Sequence, residues 1–291
     1  MLILISDAFD PGLPGVLAKY GEVTEDKGRL AEAEIVLIRS KTKVTREYID
    51  SAPKLQLVIR GGVGLDNVDR EYAKKKGITV YNTAEASSIA VAELAFALMI
   101  ALPNCIVKAD KSMKDGQWLK KELKRTELMG KTLGILGVGR IGTELAVRAR
   151  AFGMKVIGYD PFVESNEYVE MKPSMKDVLG ASDYVSMHMP LTDDTRGVIN
   201  KNTLAQFKNG AYLINTGRGK CVVEEDLVEA LKSGKIAGYG NDVWYSDPPE
   251  NSPLIGVSNG IFTPHIGAST KENLLRIGKI VDRLIGDFVG K

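Results

Sequence analysis

Apolar residues in this chain fall in short runs separated by amphipathic stretches, and the alternation predicts its elements. Leu2 to Ile5, Glu34 to Arg39, Leu55 to Ile59 and Ile78 to Tyr81 read as strands. Leu13, Leu17 and Tyr20 give a short helix after the breaker Asp10-Pro11-Gly12, and Asp69 to Lys76 reads as a charged helix. Ile89 to Leu102 is the longest apolar segment. It carries Glu93 and falls short of the roughly 20 residues that a membrane span needs, so it predicts a buried helix. The opening MLILISD has no basic leader and too short an apolar run for a signal peptide.

The alternation resumes further on. Thr132 to Leu136, Lys155 to Tyr159, Tyr184 to His188, Ala211 to Ile214, Ile236 to Val243 and Ile261 to Thr263 predict strands. Lys201 to Phe207, Glu224 to Lys232 and Thr270 to Phe288 predict helices, with Gly210 and Gly234 as stops. Strands alternating with helices imply parallel sheets, in which ligands bind beyond the carboxyl ends of the strands. The pattern divides into two α/β units: 1–98 joined by 265–291, and 99–264. The run Lys108 to Arg125 is basic on balance but includes Asp110, Asp115 and Glu122, which predicts a solvated face or a subunit contact.

Composition adds bounds. A length of 291 residues suits about two domains, and 44% hydrophobic with 26% charged residues is the balance of a globular protein with ample core. The net charge of +2 gives no reason to expect nucleic acid or a membrane as partner. Two cysteines, Cys105 and Cys221, form neither a disulfide framework nor a metal-ligand spacing, which fits a reducing cytosol and no metal.

The first chemistry-bearing stretch is Thr132 to Asp160. Gly137-Val138-Gly139-Arg140-Ile141-Gly142 follows a strand and opens a helix, whose apolar positions Ile141, Leu145, Ala149 and Phe152 recur at helical spacing before Gly153. In such a unit the first glycine makes the tight turn, the second lets the backbone approach a pyrophosphate, and the third lets helix and strand pack closely. The N–H groups at the helix start bind phosphate. Asp160 ends the next strand, about 20 residues beyond the glycines, where a carboxylate accepts hydrogen bonds from a ribose diol. A carboxylate there repels a 2′-phosphate. Pro161-Phe162 follow, so no adjacent arginine receives one, and the expected dinucleotide is NAD.

A nicotinamide enzyme acting on an alcohol needs a cation for the substrate's carboxylate or carbonyl and a proton-exchanging group, and gains from a carboxylate that orients that group. The chain has two histidines. His188, in SMHMP, reads as a packed residue lining the cofactor crevice. His265, in TPHIGAST, is at a strand end just before a helix and is the candidate acid/base. Arg218 lies between two glycines in NTGRGK, a backbone shaped to present it. Asp242 lies in a buried-looking strand and therefore needs a fixed polar partner. Asp247, in SDPPE, is an acid close before His265; a loop-capping role is the other reading.

The segments RGGVGLDNVD, LGILGVGRIG, GYDP, HMPLTDDTRGVIN, NTGRGKCVVEEDLVEAL, NDVW and TPHIGAST resemble, in order and over nearly the whole chain, the D-isomer-specific 2-hydroxyacid dehydrogenases. The resemblance implies a Rossmann cofactor domain inserted in a flavodoxin-like substrate domain, both doubly wound parallel sheets. It implies NAD as cofactor, a phosphorylated 2-hydroxy acid as substrate, a homodimer formed through the cofactor domain at Ile89 to Arg125, and no separate C-terminal regulatory domain.

The resemblance also implies roles. Arg218 binds the substrate's carboxylate and carbonyl, and His265 is the proton donor or acceptor. Asp247 stands where the family has a glutamate and is one methylene shorter. Thr83, Gly137, Gly139, Arg140, Ile141, Gly142, Asp160, Met189, Thr216, Arg218, Asp242, His265, Gly267 and Ala268 line the cofactor. Backbone N–H groups at Gly62, Val63 and Gly64 join Arg218 on the carboxylate. A phosphate needs cations, and Arg39, Lys41, Lys43 and Arg60 fall near strand ends of the first unit; Arg39 and Arg60, with Ser40, are the expected ligands, arginine being preferred over the lysines for its bidentate geometry. A reductase acting on an unphosphorylated relative of that substrate, and an NAD-sensing interaction protein of the same fold, remain the alternatives.

Overall fold

A computed structural model describes residues 1–290 and divides them into two compact units, Met1–Ser88 with the segment from Ala268 onward, and Ile89–Gly267. The first holds five parallel strands: β1 (Leu2–Ile5), β2 (Glu22–Thr24), β3 (Ile35–Ile38), β4 (Leu57–Arg60) and β5 (Thr79–Asn82). Their order is β2-β1-β3-β4-β5, the flavodoxin-like arrangement. Successive side chains of a strand point to opposite faces, and both faces are covered, which explains why β1, β3 and β4 read as apolar runs. Ile3, Ile5, Ile35, Leu37, Leu57 and Ile59 pack on one side with Ile277, Val281 and Ile285 of the closing helix Lys271–Phe288. Leu2, Leu4, Val36, Ile38 and Val58 pack on the other with Val44, Ile49 and Ala73.

The second unit holds β6 (Thr132–Leu136), β7 (Lys155–Tyr159), β8 (Glu170–Met171), β9 (Tyr184–Met187), β10 (Ala211–Asn215), β11 (Ile236–Asn241) and β12 (Gly260–Phe262), ordered β12-β11-β10-β9-β6-β7-β8. Every pairing is parallel. Strand order reverses between β6 and β9, the switch point at which a Rossmann sheet opens its ligand crevice. The register brings the strand ends into line: Tyr159 lies opposite Leu136, Leu136 opposite Met187, Met187 opposite Asn215, Asn215 opposite Asn241 and Asn241 opposite Phe262. One core cluster packs Leu133, Ile135, Tyr184 and Ile214 with Ala92, Leu98 and Met99. Leu136, Val185, Met187 and Leu213 belong to another, with Val178, Leu227 and Leu231.

The division falls ten residues earlier than the apolar pattern suggested on one side, at Ser88/Ile89 rather than 98/99, and at Gly267/Ala268 rather than 264/265. The cause is the helix Ser88–Ala101, whose Leu98 side chain meets Gly240 of β11 so closely that a Cβ on that glycine would lie 3.0 Å from the Leu98 Cβ. Two short edge strands, β2 (Glu-Val-Thr) and β8 (Glu-Met), hold a single apolar residue each, so no apolar run announces them. The helices Arg46–Asp50 and Met175–Ala181 were also invisible in the pattern. In the basic segment, helix is confined to Ile106–Lys114 and stops before Gly116, whose φ is 72°. No single helix among the described residues is long and apolar enough to cross a membrane.

Helix Met175–Ala181 lies against β6 at Gly134, where a Cβ would fall 2.2 Å from Ser182 Oγ and 2.6 Å from Val178 Cγ1. Gly134→Ala is therefore an overpacking change expected to cost about 1–3 kcal/mol, read as a fall in Tm of roughly 2–10 °C. An unchanged melting curve would show that the helix can move away freely.

Candidate active site

Because the second sheet ends in register, the residues just beyond its strands form a row: Asp160, Gly137, His188 with Met189, Thr216, Asp242 and Thr263. Neighbouring parallel strands lie about 4.8 Å apart, so this row is a continuous rim. The glycine loop occupies one half of it. Gly137 has a φ of 91°, and a Cβ there would meet the backbone of His188 and Met189 at 2.9 Å. Gly142, in the first turn of helix Arg140–Ala151, would place a Cβ 2.5 Å from the Gly137 carbonyl oxygen. Gly139 is exposed and has no atom within 4 Å of where a Cβ would be, which leaves open space at the helix N-terminus. Arg140 is exposed and Ile141 half-buried beside it. Asp160 accepts the Val138 N–H at 2.9 Å through Oδ2 and the Phe162 N–H at 2.9 Å through Oδ1. Each oxygen keeps a lone pair for a diol. A glycine cradle, a free helix start and an oriented carboxylate fit a dinucleotide.

The other half of the rim carries acid/base groups. Asn215, wholly buried, staples the turn beyond β10: its Oδ1 accepts the Gly217 N–H at 3.0 Å and its Nδ2 donates to the Arg218 carbonyl at 3.0 Å. Gly219 then passes Trp244 so closely that a Cβ would fall 2.4 Å from its carbonyl carbon. Arg218, half-buried in this turn, donates from Nη1 to the Gly217 carbonyl at 2.8 Å. The flanking residues thus present Arg218 at the rim, and Asn215 is a supporting residue that the sequence reading missed.

Asp242, 2% exposed, uses both carboxylate oxygens on the loop after β12. Oδ1 accepts from the Thr263 hydroxyl at 2.6 Å and the Ile266 N–H at 2.8 Å, while Oδ2 accepts the Gly267 N–H at 2.8 Å. These bonds bracket His265, whose φ is 55°. A left-handed non-glycine residue is strained and persists where its surroundings over-determine it. Asp242 was expected along the cofactor; its polar partners are the histidine loop, and its evident task is to hold that loop.

His265 Nδ1 hydrogen-bonds to Asp247 Oδ2. An ionised carboxylate only accepts, so Nδ1 carries the proton and Nε2 is left to face a reactant. Asp247, one methylene shorter than the glutamate that the resemblance led one to expect, reaches the ring. The segment carrying it is tied down by Trp244, which donates to the Thr263 carbonyl at 3.1 Å, and by Tyr245, which donates to the Val222 carbonyl at 2.6 Å. The half-exposed pair is open to a ligand.

The remaining expected residues lie in the first unit. Thr83 is wholly buried and its hydroxyl accepts the Gly62 N–H at 2.9 Å. That bond corrects one expectation, since the Gly62 N–H is committed and only Val63 and Gly64 keep N–H groups for an anion. Gly62 has a φ of 145°, a backbone that favours glycine, and the Arg60 Nη1 lies 1.7 Å from where a Cβ would be. Asp7 holds the loop beyond β3, accepting from the Arg39 N–H at 2.6 Å, the Thr42 N–H at 3.1 Å and the Thr42 hydroxyl at 2.8 Å. The Arg39 guanidinium donates to the carbonyls of Ala8 at 3.5 Å and Ala268 at 3.3 Å. Burial pushes its pKa below the usual arginine value. Ser40, Lys41 and Lys43 are exposed. Ala268, expected on the cofactor, belongs to this unit with Thr83.

Comparison with known proteins gives the site its setting. A profile of the D-isomer-specific 2-hydroxyacid dehydrogenase NAD-binding domain matches residues 96–267. The chain is 42% identical to D-3-phosphoglycerate dehydrogenase of Methanocaldococcus jannaschii across 96% of its own length and 56% of that protein's, so it spans little more than half of that relative. It is 44% identical to hydroxypyruvate reductase of Thermotoga maritima, over 94% of this chain and 90% of that one. Among solved structures, D-lactate dehydrogenase from Aquifex aeolicus in complex with NAD and lactic acid superposes with a TM-score of 0.88 at 30% identity, covering 100% of this chain and 96% of that one.

Asp242→Asn keeps one acceptor oxygen in place of two. Hydrogen exchange at Ile266 and Gly267 should accelerate by about 10-fold or more, each lost bond to a charged group being worth roughly 1.5–3 kcal/mol. Unchanged protection at both amides would show that Asp242 does not hold the loop.

Proposed function

The chain belongs to the D-isomer-specific 2-hydroxyacid dehydrogenase family, and from that premise we propose that it oxidises D-3-phosphoglycerate to 3-phosphohydroxypyruvate. It is an NAD-dependent dehydrogenase of small 2-hydroxy acids. Bound NAD supplies the hydride acceptor. Gly137 to Gly142 would hold the pyrophosphate, Asp160 the adenosine ribose, and Met189 and Thr216 the rim between them and Arg218.

The proposed mechanism assigns each remaining step to a side chain. Arg218 binds the substrate carboxylate and polarises the C2 oxygen, its fork matching a planar anion. His265 Nε2 takes the C2 hydroxyl proton as the C2–H bond breaks. Asp247 keeps the proton of Nδ1 in place, so the ring presents the accepting nitrogen, and it balances the charge that the ring then acquires. In the reverse direction the same nitrogen returns the proton to the carbonyl oxygen.

The observation that supports a phosphorylated substrate is Arg39. Its guanidinium is partly desolvated, and its bonds go to two backbone carbonyls while Asp7 is occupied with the loop backbone. An arriving phosphate would restore the lost solvation, with Arg60 and Ser40 as further ligands. The identity to a hydroxypyruvate reductase favours a second reading, the same chemistry on a substrate without phosphate. An NAD-sensing interaction protein would have no use for the paired Asp247 and His265. We further propose a homodimer through the exposed Ile106, Val107, Met113 and Trp118, each more than half exposed.

Two kinetic experiments test this reading. His265→Ala should lower kcat by about 10²–10⁴-fold, the range for a general acid/base, with NAD affinity unchanged; near-normal turnover would remove His265 from the mechanism. Arg39→Ala should raise KM for D-3-phosphoglycerate by about 10-fold or more, as for loss of a charge-assisted bond, and leave KM for D-glycerate unaltered. An equal effect on both substrates would favour the unphosphorylated reading.

A further inference from the structure

His188 is left unused by the mechanism, and its surroundings are unusually constrained. Its backbone N–H donates to the Leu136 carbonyl at 2.8 Å, extending the pairing of β6 and β9 by one residue. Glycines press on its main chain from two sides: a Cβ on Gly137 would lie 2.9 Å from the His188 carbonyl, and one on Gly217 would lie 3.2 Å from the Met189 carbonyl oxygen and 3.5 Å from the His188 Cα. Both ring nitrogens are occupied by hydroxyls. Nε2 is 2.9 Å from Ser186 Oγ and Nδ1 is 3.3 Å from Thr216 Oγ1. Part of the residue is solvent-accessible, yet loss of hydration around the ring pushes its pKa down to about 3, so the imidazole is neutral at ordinary pH. A neutral imidazole has one donor and one acceptor nitrogen, and two arrangements are conceivable.

Burial decides between them. Ser186 is 0% exposed in the body of β9, and among the described residues His188 is the one partner of its hydroxyl. If Nε2 carried the proton, the Ser186 O–H would point into the core with no acceptor, and an orphaned buried donor is the more expensive fault. If Nδ1 carries it, the Ser186 O–H donates to Nε2 and Nδ1–H donates to Thr216 Oγ1. The remaining hydrogen is then that of Thr216, 7% exposed at the rim, where solvent or a bound ligand can accept it.

We propose that His188 is a positioning residue: held as the Nδ1–H tautomer by Ser186, it occupies the Thr216 oxygen as an acceptor and so turns the Thr216 hydroxyl outward as a donor to an oxygen of the bound dinucleotide. The ligand half of this statement rests on the NAD site proposed above; the tautomer half does not. The device makes the rim a donor at Thr216 before any ligand arrives, so no rotor has to be reoriented on binding.

The test has two arms. With two histidines in the chain, long-range ¹⁵N–¹H spectra at pH 7 give two ring patterns, and His265→Gln leaves the one from His188. The expected pattern in the ligand-free protein is a protonated Nδ1 and a bare Nε2; a protonated Nε2, or an imidazolium, overturns the proposal whatever NAD does. In the second arm, NAD binding is titrated. Thr216→Val removes the donor and should weaken it by about 10-fold; His188→Leu leaves the hydroxyl but frees its rotor and should weaken it by less, and adding it to Thr216→Val should weaken binding no further. Restoration by His188→Asn, whose amide replaces the Nδ1–H, supports the role; additive losses overturn it. Should His188→Leu fail to fold, the spectra of the wild-type ring and the Thr216→Val titration still decide. Wild-type protein that fails to bind NAD would refute the cofactor reading, a result distinct from a wrong tautomer.

Discussion

Everything chemical in the second unit depends on one constraint, that six parallel strands end in register. A parallel sheet is paired by evenly spaced hydrogen bonds, so an in-register edge places successive loops at fixed intervals. Here that edge sets Asp160, Gly137, His188, Thr216, Asp242 and Thr263 side by side. The loops between them then need little length to bring a carboxylate to a histidine or a glycine turn to a diol-binding acid. Reversal of strand order between β6 and β9 opens the middle of the row, where the loops leave for opposite faces.

Given that edge, the site is held by buried acceptors. Asp242 and Asn215 are almost entirely buried and spend their side chains on backbone groups of the loops that present His265 and Arg218. A buried carboxylate without partners would be costly, so the loop conformation and the burial of Asp242 stabilise each other. The left-handed backbone of His265 is the visible sign of the force applied. In the first unit Asp7 does the same for the loop that carries Arg39, and Thr83 for the turn at Gly62. In the loops of His265, Arg218 and Arg39 the residue presented and the residue that positions it are different.

Much of this was legible in the sequence, because the relevant signals are local. The strands β1, β6 and β7 and the helix Glu224–Lys232 coincide with their apolar patterns, and the glycine loop could be read position by position. Arg218 and His265 stood out because breakers flank them. What could not be read were relations created by strand order. Asp242 meets residues 21 to 25 positions away, which no local pattern announces. Whether Asp247 reaches His265 depended on how Trp244 and Tyr245 anchor the intervening segment. The Gly62 N–H reads as available for an anion, but Thr83, just beyond the neighbouring strand β5, accepts it. His188 was read as packing, and its tautomer is fixed by a serine whose burial only the fold reveals.

The central claim is that this rim transfers hydrogen from C2 of a D-2-hydroxy acid. Its most direct measurement is incubation of the protein and NAD with D-3-phosphoglycerate carrying deuterium at C2. Appearance of that deuterium in the reduced cofactor, with the D isomer and not the L, is the predicted result. Loss of the label to water, or the absence of any cofactor reduction with D-2-hydroxy acids, would contradict it.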